Sequence, residues 1–540
     1  MIKNIENIIK KIPRNILILA GIILVGIFLR TYHFHDWLRF NADQARDAAV
    51  VSNFLTGKSE LPMLGPKAGG TEFKLGGAFY YLQILSAKIF GSSPDKIAYP
   101  DLLSSILTIP LLFLLLRKAF QEKIALAGAA ILSVSIFAIK YGRFAWNPNS
   151  APFYCLLLLY ALLILAENKT RRWLWWALLA GLALGIGVQL HTLLLIIMPI
   201  ATLAYFVFLG IKNPQLWRKA LLVLLVALFF NTGQIINLAQ TNGANAKAFF
   251  GGASAKTAKG TSLLGNLATN TVCQVQANAF IVSGLGADDQ CGTDLLQSTY
   301  AKTKGLTNKA VFVLGFGLSV IFSFGGIWLW ILAIKHTAEP NKKRIFQLTG
   351  LYALIGFVLL IPLAKEISLR FYLALIFVPF MLLGLWLQAL WHWRKEGLWI
   401  GGLLILLLIF TNLNAVQIAF ADHAGTKQVG SSTDMEITLG EVEFVAAYIR
   451  QYAQADETVF VGGRQKYLFK YLKSIQYFTL QENIKLRALP KRVVLAPTLS
   501  KVFLGNAKDD GKLSKTLGQT YVGQNVQFFG RFSIEQLVVK

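Results

Sequence analysis

Charge of one sign is scarce in this sequence: 27 aspartates and glutamates stand against 53 lysines and arginines, and all four types make up only 15% of 540 residues. With 55% hydrophobic residues, so little charge excludes a string of ordinary soluble domains. Cysteine is scarcer still, at three, and neither a CxxC nor a Cys/His zinc pattern occurs. No small-residue cleavage site closes the first apolar run, Ile16 to Leu29. Its basic flank, MIKNIENIIKKIPR, therefore reads as the edge of a retained anchor rather than a removed signal peptide. No internal repeat stands out.

What is present is a series of apolar runs of helical length between Ile16 and Val416, the pattern of a polytopic α-helical membrane protein. The basic residues fall in short loops between them: Lys10, Lys11 and Arg14; Arg117, Lys118 and Lys123; Lys169, Arg171 and Arg172; Lys212, Arg218 and Lys219; Lys335, Lys342, Lys343 and Arg344; Arg394 and Lys395. This is the positive-inside pattern, which accounts for the net charge of +26 through topology and anionic-lipid contact. No basic stripe is interleaved with aromatics, so nucleic acid is not an expected partner. With these loops cytoplasmic, about 11–13 spans are expected, beginning at Ile16–Arg30 and ending at Ile400–Ala415. The N-terminus then faces the cytoplasm of a plasma-membrane protein, and the C-terminal segment lies outside.

The expected organisation is a transmembrane unit over 1–419 and a soluble extracytoplasmic α/β domain over 420–540. Within the first, residues 31–100 form an outer loop that includes Gly76–Phe90, an amphipathic helix read as interfacial. Residues 238–307 form a second outer polar loop. Cys273 and Cys291 fall in it, where an oxidising compartment permits a disulfide; two free thiols are the alternative. In the C-terminal part, EVEFVAAYIRQYA has helical spacing, whereas TVFVGG, IQYFTL, RVVLAP and the tail from Thr520 read as strands.

The unusual polar residues then collect on the outer side: Asp43, Asp47 and Lys74; Arg143, Trp146 and Asn147; Gln189 and His191; Lys365, Glu366 and Arg370. At helix ends and loops they avoid the cost of charge at the bilayer centre and suggest a polar cavity. Each also has a plain structural reading. Arg143 and Arg370 suit interfacial snorkelling, His191 helix packing, Asp47 a solvated helix face, Trp146 an aromatic belt, and Asn147-Pro148 a turn. Asn41 and Gln44 resemble a capping box, which places Asp43 in the first turn of a helix and Asp47 one turn later on the same face. A carboxylate beside lysines and arginines suits transfer from a phosphate leaving group, with one base for a hydroxyl proton and cations for the phosphate.

In order and spacing, residues 15–390 resemble the polyprenyl-phosphate-sugar-dependent glycosyltransferases of the GT-C fold, in the branch of protein O-mannosyltransferases and the lipid A aminoarabinose transferase. The resemblance is carried by Asp43-Gln44 with Arg46, FKLGGAFYYLQILSAKIFG, LLFLLLRKAF, KYGRFAWNPNSAP, GLALGIGVQLHTLLL and LAKEISLRFYLALIFVPF. It implies an inverting sugar transfer from a polyprenyl phosphate to an acceptor protein, glycan or lipid on the extracytoplasmic face. Asp43 would be the base, with Asp47 as a second acid. Lys74, Arg143, Lys365 and Arg370 would be donor-phosphate ligands, and His191, Trp146, Asn147, Gln189 and Glu366 would meet sugar or acceptor. Relatives commonly carry Asp-Glu where this chain has Asp43-Gln44, so a bound divalent metal is less expected here and no cofactor is assigned. The rival classes are a transporter or flippase of lipid-linked saccharides and a catalytically inactive scaffold. Charges gathered at one face and the absence of matching halves speak against the first.

Overall fold

Apolar helix length sets the architecture. In the computed structural model, residues 13–167, 172–211, 213–257, 262–286, 290–393, 395–424, 437–453, 455–463, 465–480, 483–488, 501–506, 521–529 and 532–539 are described. Lys10, Lys11, Lys169, Arg171, Lys212, Arg394 and the RVVLAP stretch lie outside the described residues.

Six of the described helices are long and apolar enough to cross a membrane: Arg14–Thr31, Tyr99–Ala119, Thr192–Gly210, Leu306–His336, Pro340–Glu366 and Lys395–His423. Two pairs bent by 63° and 67°, Gln215–Phe230 with Thr232–Gln240 and Leu369–Leu375 with Phe377–Trp393, are each a broken span or a re-entrant loop, and the number is eight if each is one span. The apolar helices Ala151–Glu167 and Trp173–Gly187, of 17 and 15 residues, fall short of that length, which leaves fewer spans than the 11–13 expected. Outward faces such as Val311, Leu314, Leu318 and Ile321, or Trp399, Leu403, Leu406 and Phe410, are exposed and apolar, as lipid contact requires. The run Ile124–Lys140 is broken into Glu122–Val134 and Ile136–Tyr141 at Ser135. The break is satisfied from outside: Ser135 Oγ donates to the Ile281 carbonyl at 2.7 Å, and Asn412 Oδ1 accepts the Ile136 N–H at 3.1 Å.

Basic helix ends gather at one end of the bundle. Lys118 pairs with Glu167, Lys219 Nζ donates to the Leu165 carbonyl at 3.1 Å, and Arg344 reaches the Ala166 carbonyl at 3.3 Å. Asn15 donates to Glu122 at 2.8 Å on the same side. The Tyr99–Ala119 helix runs ~32 Å at the standard rise from Asp101 in its first turn to Arg117 and Lys118 in its last.

The stretch expected as an outer polar loop is largely helical, with Ala244–Thr257, Leu263–Ser283 and Thr293–Lys302. Asn270, Gln274 and Asn278 recur every four residues along the second of these, a polar stripe of helical period. Asn270 donates to the Phe357 carbonyl at 3.0 Å, Gln274 to Asn278 at 2.9 Å, and Asn278 to Ser323 at 3.2 Å. A disulfide joins Cys273 to Cys291, while Cys155 is a buried thiol.

Ahead of the Ala78–Phe90 helix lies a short antiparallel pair, β1 (Leu64–Lys67) and β2 (Lys74–Gly76). After Ile437 the chain forms the helix Leu439–Tyr452, β3 (Thr458–Gly463), the helix Gln465–Thr479, β4 (Lys485–Ala488), β5 (Lys501–Asn506), β6 (Tyr521–Phe529) and β7 (Phe532–Val539). The sheet order is β4-β3-β5-β7-β6, with β3 parallel to β4 and β5, and β7 antiparallel to β5 and β6. IQYFTL, expected as a strand, forms the end of the Gln465–Thr479 helix. Its aromatics favour strands locally, but buried Tyr471, Ser474 and Ile475 recur at helical spacing, and packing decides.

This segment is fastened to the stretch that follows the first helix. Phe40 N–H donates to the Ile437 carbonyl at 3.0 Å, Leu439 N–H to the Leu38 carbonyl at 2.7 Å, and Gly440 N–H to the Asp36 carbonyl at 3.1 Å. The Phe40 ring packs on Tyr477 and Phe478 at 5.6 and 5.8 Å. An open cavity of about 530 Å³ at this junction is lined by Asp36, Glu443, Phe444, Arg450, Phe478 and Phe529, among others. Phe40→Ala is expected to destabilise the protein by about 3–5 kcal/mol, the usual cost of emptying a buried phenylalanine site. Thermal unfolding in detergent checks this, and an unchanged midpoint contradicts the docking.

Candidate active site

The site is built outward from the helix Ala42–Leu55. Asn41 is its N-cap, and Gln44 Oε1 accepts the Asn41 backbone N–H at 3.1 Å, closing the cap. Gln44 Nε2 donates in turn to the Ala145 carbonyl at 3.1 Å. Gln44 is thus buried and fully engaged as a tether between this helix and the 143–150 loop. Asp43, one residue earlier, is exposed in the first turn of the helix.

Arg46 joins the two aspartates. Its Nε and Nη2 form a fork on Asp47 at 2.9 and 3.1 Å, and Nη1 reaches Asp43 Oδ1 at 2.9 Å. Tyr80, on the Ala78–Phe90 helix, donates its hydroxyl to Asp47 Oδ1 at 2.8 Å. Asp47 is 0% exposed, and burial pushes its carboxyl up to about 6 against the opposing pull of Arg46 and Tyr80. Burial lowers the Arg46 guanidinium, but Asp47 and then Asp43 outweigh it and hold it above its usual range. Burial, followed by the Asp47 charge, raises the Tyr80 phenol.

The 143–150 loop forms the second wall. Arg143, a sequence candidate for the donor phosphate, is turned away from Asp43. Its Nη1 donates to the Leu29 and Arg30 carbonyls at 3.1 and 3.0 Å, and its Nη2 to Tyr32 and His33 at 2.7 and 3.3 Å. It caps the first helix, and burial lowers its guanidinium to about 10. The loop is fixed again by Asp101, which accepts from the Trp146 N–H at 3.1 Å and from Ser150 at 2.6 Å. Sequence reasoning assigned no role to Asp101 or Tyr80, and it marked Arg46 only as a neighbour of Asp43-Gln44 in the resemblance. The DxxR spacing of Asp43 and Arg46 was the available signal for Arg46, whereas Asp101 and Tyr80 stand at the start of apolar helices without one.

Arg370 and His191 make the third wall. The Arg370 guanidinium lies 5.4 Å from the Trp146 ring centroid and 5.8 Å from that of Phe371. It is exposed and, among the described residues, makes no hydrogen bond or ion pair. His191 caps the Thr192–Gly210 helix by accepting the Leu193 N–H on Nδ1 at 3.1 Å, and it stands edge-on to Phe371 at 5.1 Å. Burial, then the Arg370 and Lys256 cations, push it down to about 3, so the ring is neutral with its proton on Nε2. Asn147 Nδ2 holds the neighbouring Leu190 carbonyl at 2.6 Å.

Gln189 is wholly structural. It accepts the Ala78 N–H at 3.1 Å and donates to the Gly185 and Phe230 carbonyls, each at 2.7 Å, packed so closely on Gly76 that no side chain fits there. Lys74 is exposed and tied through its backbone to Asn245. Lys365 pairs with Asp294 at 2.9 Å, and Glu366, two residues ahead of Ser368, is half-buried beside it. Asp43, Asp47, Trp146, Asn147, His191 and Arg370 are therefore linked through direct contacts and the loop that carries them, whereas Arg143 and Gln189 serve the scaffold. Among the described residues no three His, Cys, Asp or Glu side chains converge as a metal-ligand set.

Residues 78–232 match the sequence model of the family described as dolichyl-phosphate-mannose-protein mannosyltransferase. Among curated proteins, no relative matches. Among solved structures, the chain is similar to the Archaeoglobus fulgidus oligosaccharyltransferase in its apo form, with 13% identity over 92% of this chain and 70% of that one and a TM-score of 0.50. For the same enzyme in complex with Zn and sulfate the values are 14%, 88%, 62% and 0.47, so this chain spans less than two thirds of it. For ArnT from Cupriavidus metallidurans in the apo state they are 11%, 96%, 97% and 0.49.

Gln44→Glu is expected to lower stability by about 1–3 kcal/mol, because the Ala145 carbonyl loses its donor inside the protein. A higher unfolding midpoint would contradict the tether. Arg143→Ala should reduce folded yield by taking the side-chain donor from the Leu29, Arg30 and Tyr32 carbonyls, whereas Arg370→Ala should leave it unchanged; size-exclusion recovery at matched expression checks both. By its fold the chain is a membrane protein similar to the Archaeoglobus fulgidus oligosaccharyltransferase, and its residues 78–232 match the mannosyltransferase family model.

Proposed function

We propose that this protein transfers a sugar from a polyprenyl-phosphate donor to an acceptor on the extracytoplasmic side of the membrane, by inverting displacement with Asp43 as the base. The observation that carries the proposal is the exposed Asp43 carboxylate with an unpaired guanidinium, Arg370, on the wall that Gln44 and Ala145 tie to it. The family description over residues 78–232 names a polyprenyl-phosphate sugar and supports that donor class.

In the step, Asp43 takes the acceptor hydroxyl proton while the acceptor oxygen attacks the anomeric carbon and the bond to the phosphate oxygen breaks. Arg370 receives the charge that collects on the leaving phosphate. His191, neutral with an Nε2 proton, donates to a phosphate or sugar oxygen without needing to ionise. Trp146, under the Arg370 guanidinium, keeps that cation aimed and supplies an aromatic face for the sugar. Lys74 and Lys365, both exposed and the second paired with Asp294, serve as donor-entry cations, and Glu366 and Asn147 serve the acceptor side. The basic end of the bundle faces the cytoplasm in this proposal, which puts the site and the C-terminal sheet outside.

A transporter draws no comparable support. Arg30, fully buried in the first helix, is locked on Ser105 and on the Gly26, Leu132 and Ser133 carbonyls rather than lining a path.

The test is incorporation of label from a panel of radiolabelled polyprenyl-phosphate sugars into membranes, at matched expression of native protein and variants. Asp43→Asn should abolish transfer, and robust transfer by Asp43→Asn would remove it as the base. Arg370→Ala should raise the donor KM and lower kcat together, each by roughly tenfold or more. An unchanged donor KM would take Arg370 out of the phosphate site.

A further inference from the structure

Asp47 was a catalytic candidate, yet it is 0% exposed and cannot meet a substrate. What it does meet is a chain of polar contacts ending at the exposed acid. Tyr80 donates to Asp47 Oδ1 at 2.8 Å, the Arg46 fork closes on both Asp47 oxygens at 2.9 and 3.1 Å, and the remaining Nη1 reaches Asp43 Oδ1 at 2.9 Å. An exposed Arg–Asp pair three residues apart on a helix orders little by itself, since both side chains remain mobile in water. A guanidinium clamped side-on to a buried carboxylate is different, because its plane is fixed before the second partner arrives. The clamp is anchored in its turn. Tyr80 stands in the first turn of the Ala78–Phe90 helix, whose leading N–H is held by Gln189.

We infer that Asp47 and Tyr80 are positioning residues of the transfer, locking Arg46 in the orientation that fixes Asp43. The inference rests on the proposal that Asp43 is the base. The charged and titratable groups facing Asp47 are Arg46 and Asp43 on its own helix, Tyr80 on the Ala78–Phe90 helix and Asp101 on the Tyr99–Ala119 helix. Asp47 holds the fork as a carboxylate, and once protonated it loses its charge-assisted grip on Arg46. Activity should therefore fall as pH drops through the Asp47 midpoint, near 6. The Tyr80 hydroxyl stabilises the ionised form, so deleting it raises that midpoint and moves the acid limb to higher pH.

The experiment is the pH dependence of kcat for native protein, Tyr80→Phe, Asp47→Asn and Asp43→Asn, in full-length detergent-purified protein with one radiolabelled donor. Each variant is compared at equal monodisperse yield. Tyr80→Phe should lower kcat at neutral pH by about tenfold, a cost of misorientation, keep the donor KM, and shift the acid limb upward. Asp47→Asn should remove that limb; if it fails to fold, Tyr80→Phe decides alone. A Tyr80→Phe profile with the native limb overturns the inference whether or not kcat falls, since a structural role alone would lower yield or kcat without moving the limb. Activity retained by Asp43→Asn defeats the base assignment itself, and is read separately from the Tyr80 result.

Discussion

The carbonyls of Leu29, Arg30 and Tyr32 at the end of the first helix need a donor, and this end of the molecule is arranged around the one they receive. Arg143 takes the carbonyls of Leu29, Arg30, Tyr32 and His33, and with its guanidinium committed there the 143–150 loop has one place to lie. From that loop Ala145 receives Gln44, Trp146 carries Arg370, and Asn147 holds Leu190 beside His191. Losing the Arg143 cap would leave buried acceptors unpaired and would release each of these walls at once.

The same economy of polar groups separates scaffold from chemistry. Buried cations and amides, Arg30, Arg143, Gln44 and Gln189, have their donors on backbone carbonyls or a hydroxyl. Asp43 and Arg370 are exposed instead, one leaning on Arg46 and the other on aromatic rings. An accessible acid and an accessible cation, joined through the 143–150 loop, suit a reaction that removes a proton and expels a phosphate.

Much of this was legible in the sequence, because it depends on local pattern. Apolar run lengths indicated the membrane helices, Asn41 and Gln44 marked the start of the Asp43 helix, and TVFVGG and EVEFVAAYIRQYA formed the expected strand and helix. Partner choice was not legible. Gln44 looked like a departure from an acidic pair, but its amide is needed both to accept from Asn41 and to donate to Ala145, and a carboxylate can do only the first. Arg143 looked like a phosphate ligand because its four carbonyl partners lie more than 100 residues away in the chain. The 263–283 segment looked like a loop because its Asn and Thr are polar, although Asn270 and Asn278 donate to neighbouring helices and Asn278 accepts from Gln274.

The most direct measurement of the central claim follows both products of one turnover. Purified protein would be given an anomerically defined polyprenyl-phosphate sugar and an acceptor fraction, with released polyprenyl phosphate quantified and the anomeric configuration of the new linkage read by NMR. The account predicts one polyprenyl phosphate released per sugar transferred and an inverted anomeric centre. Retention of configuration, or consumption of the donor without a glycosylated product, would contradict it.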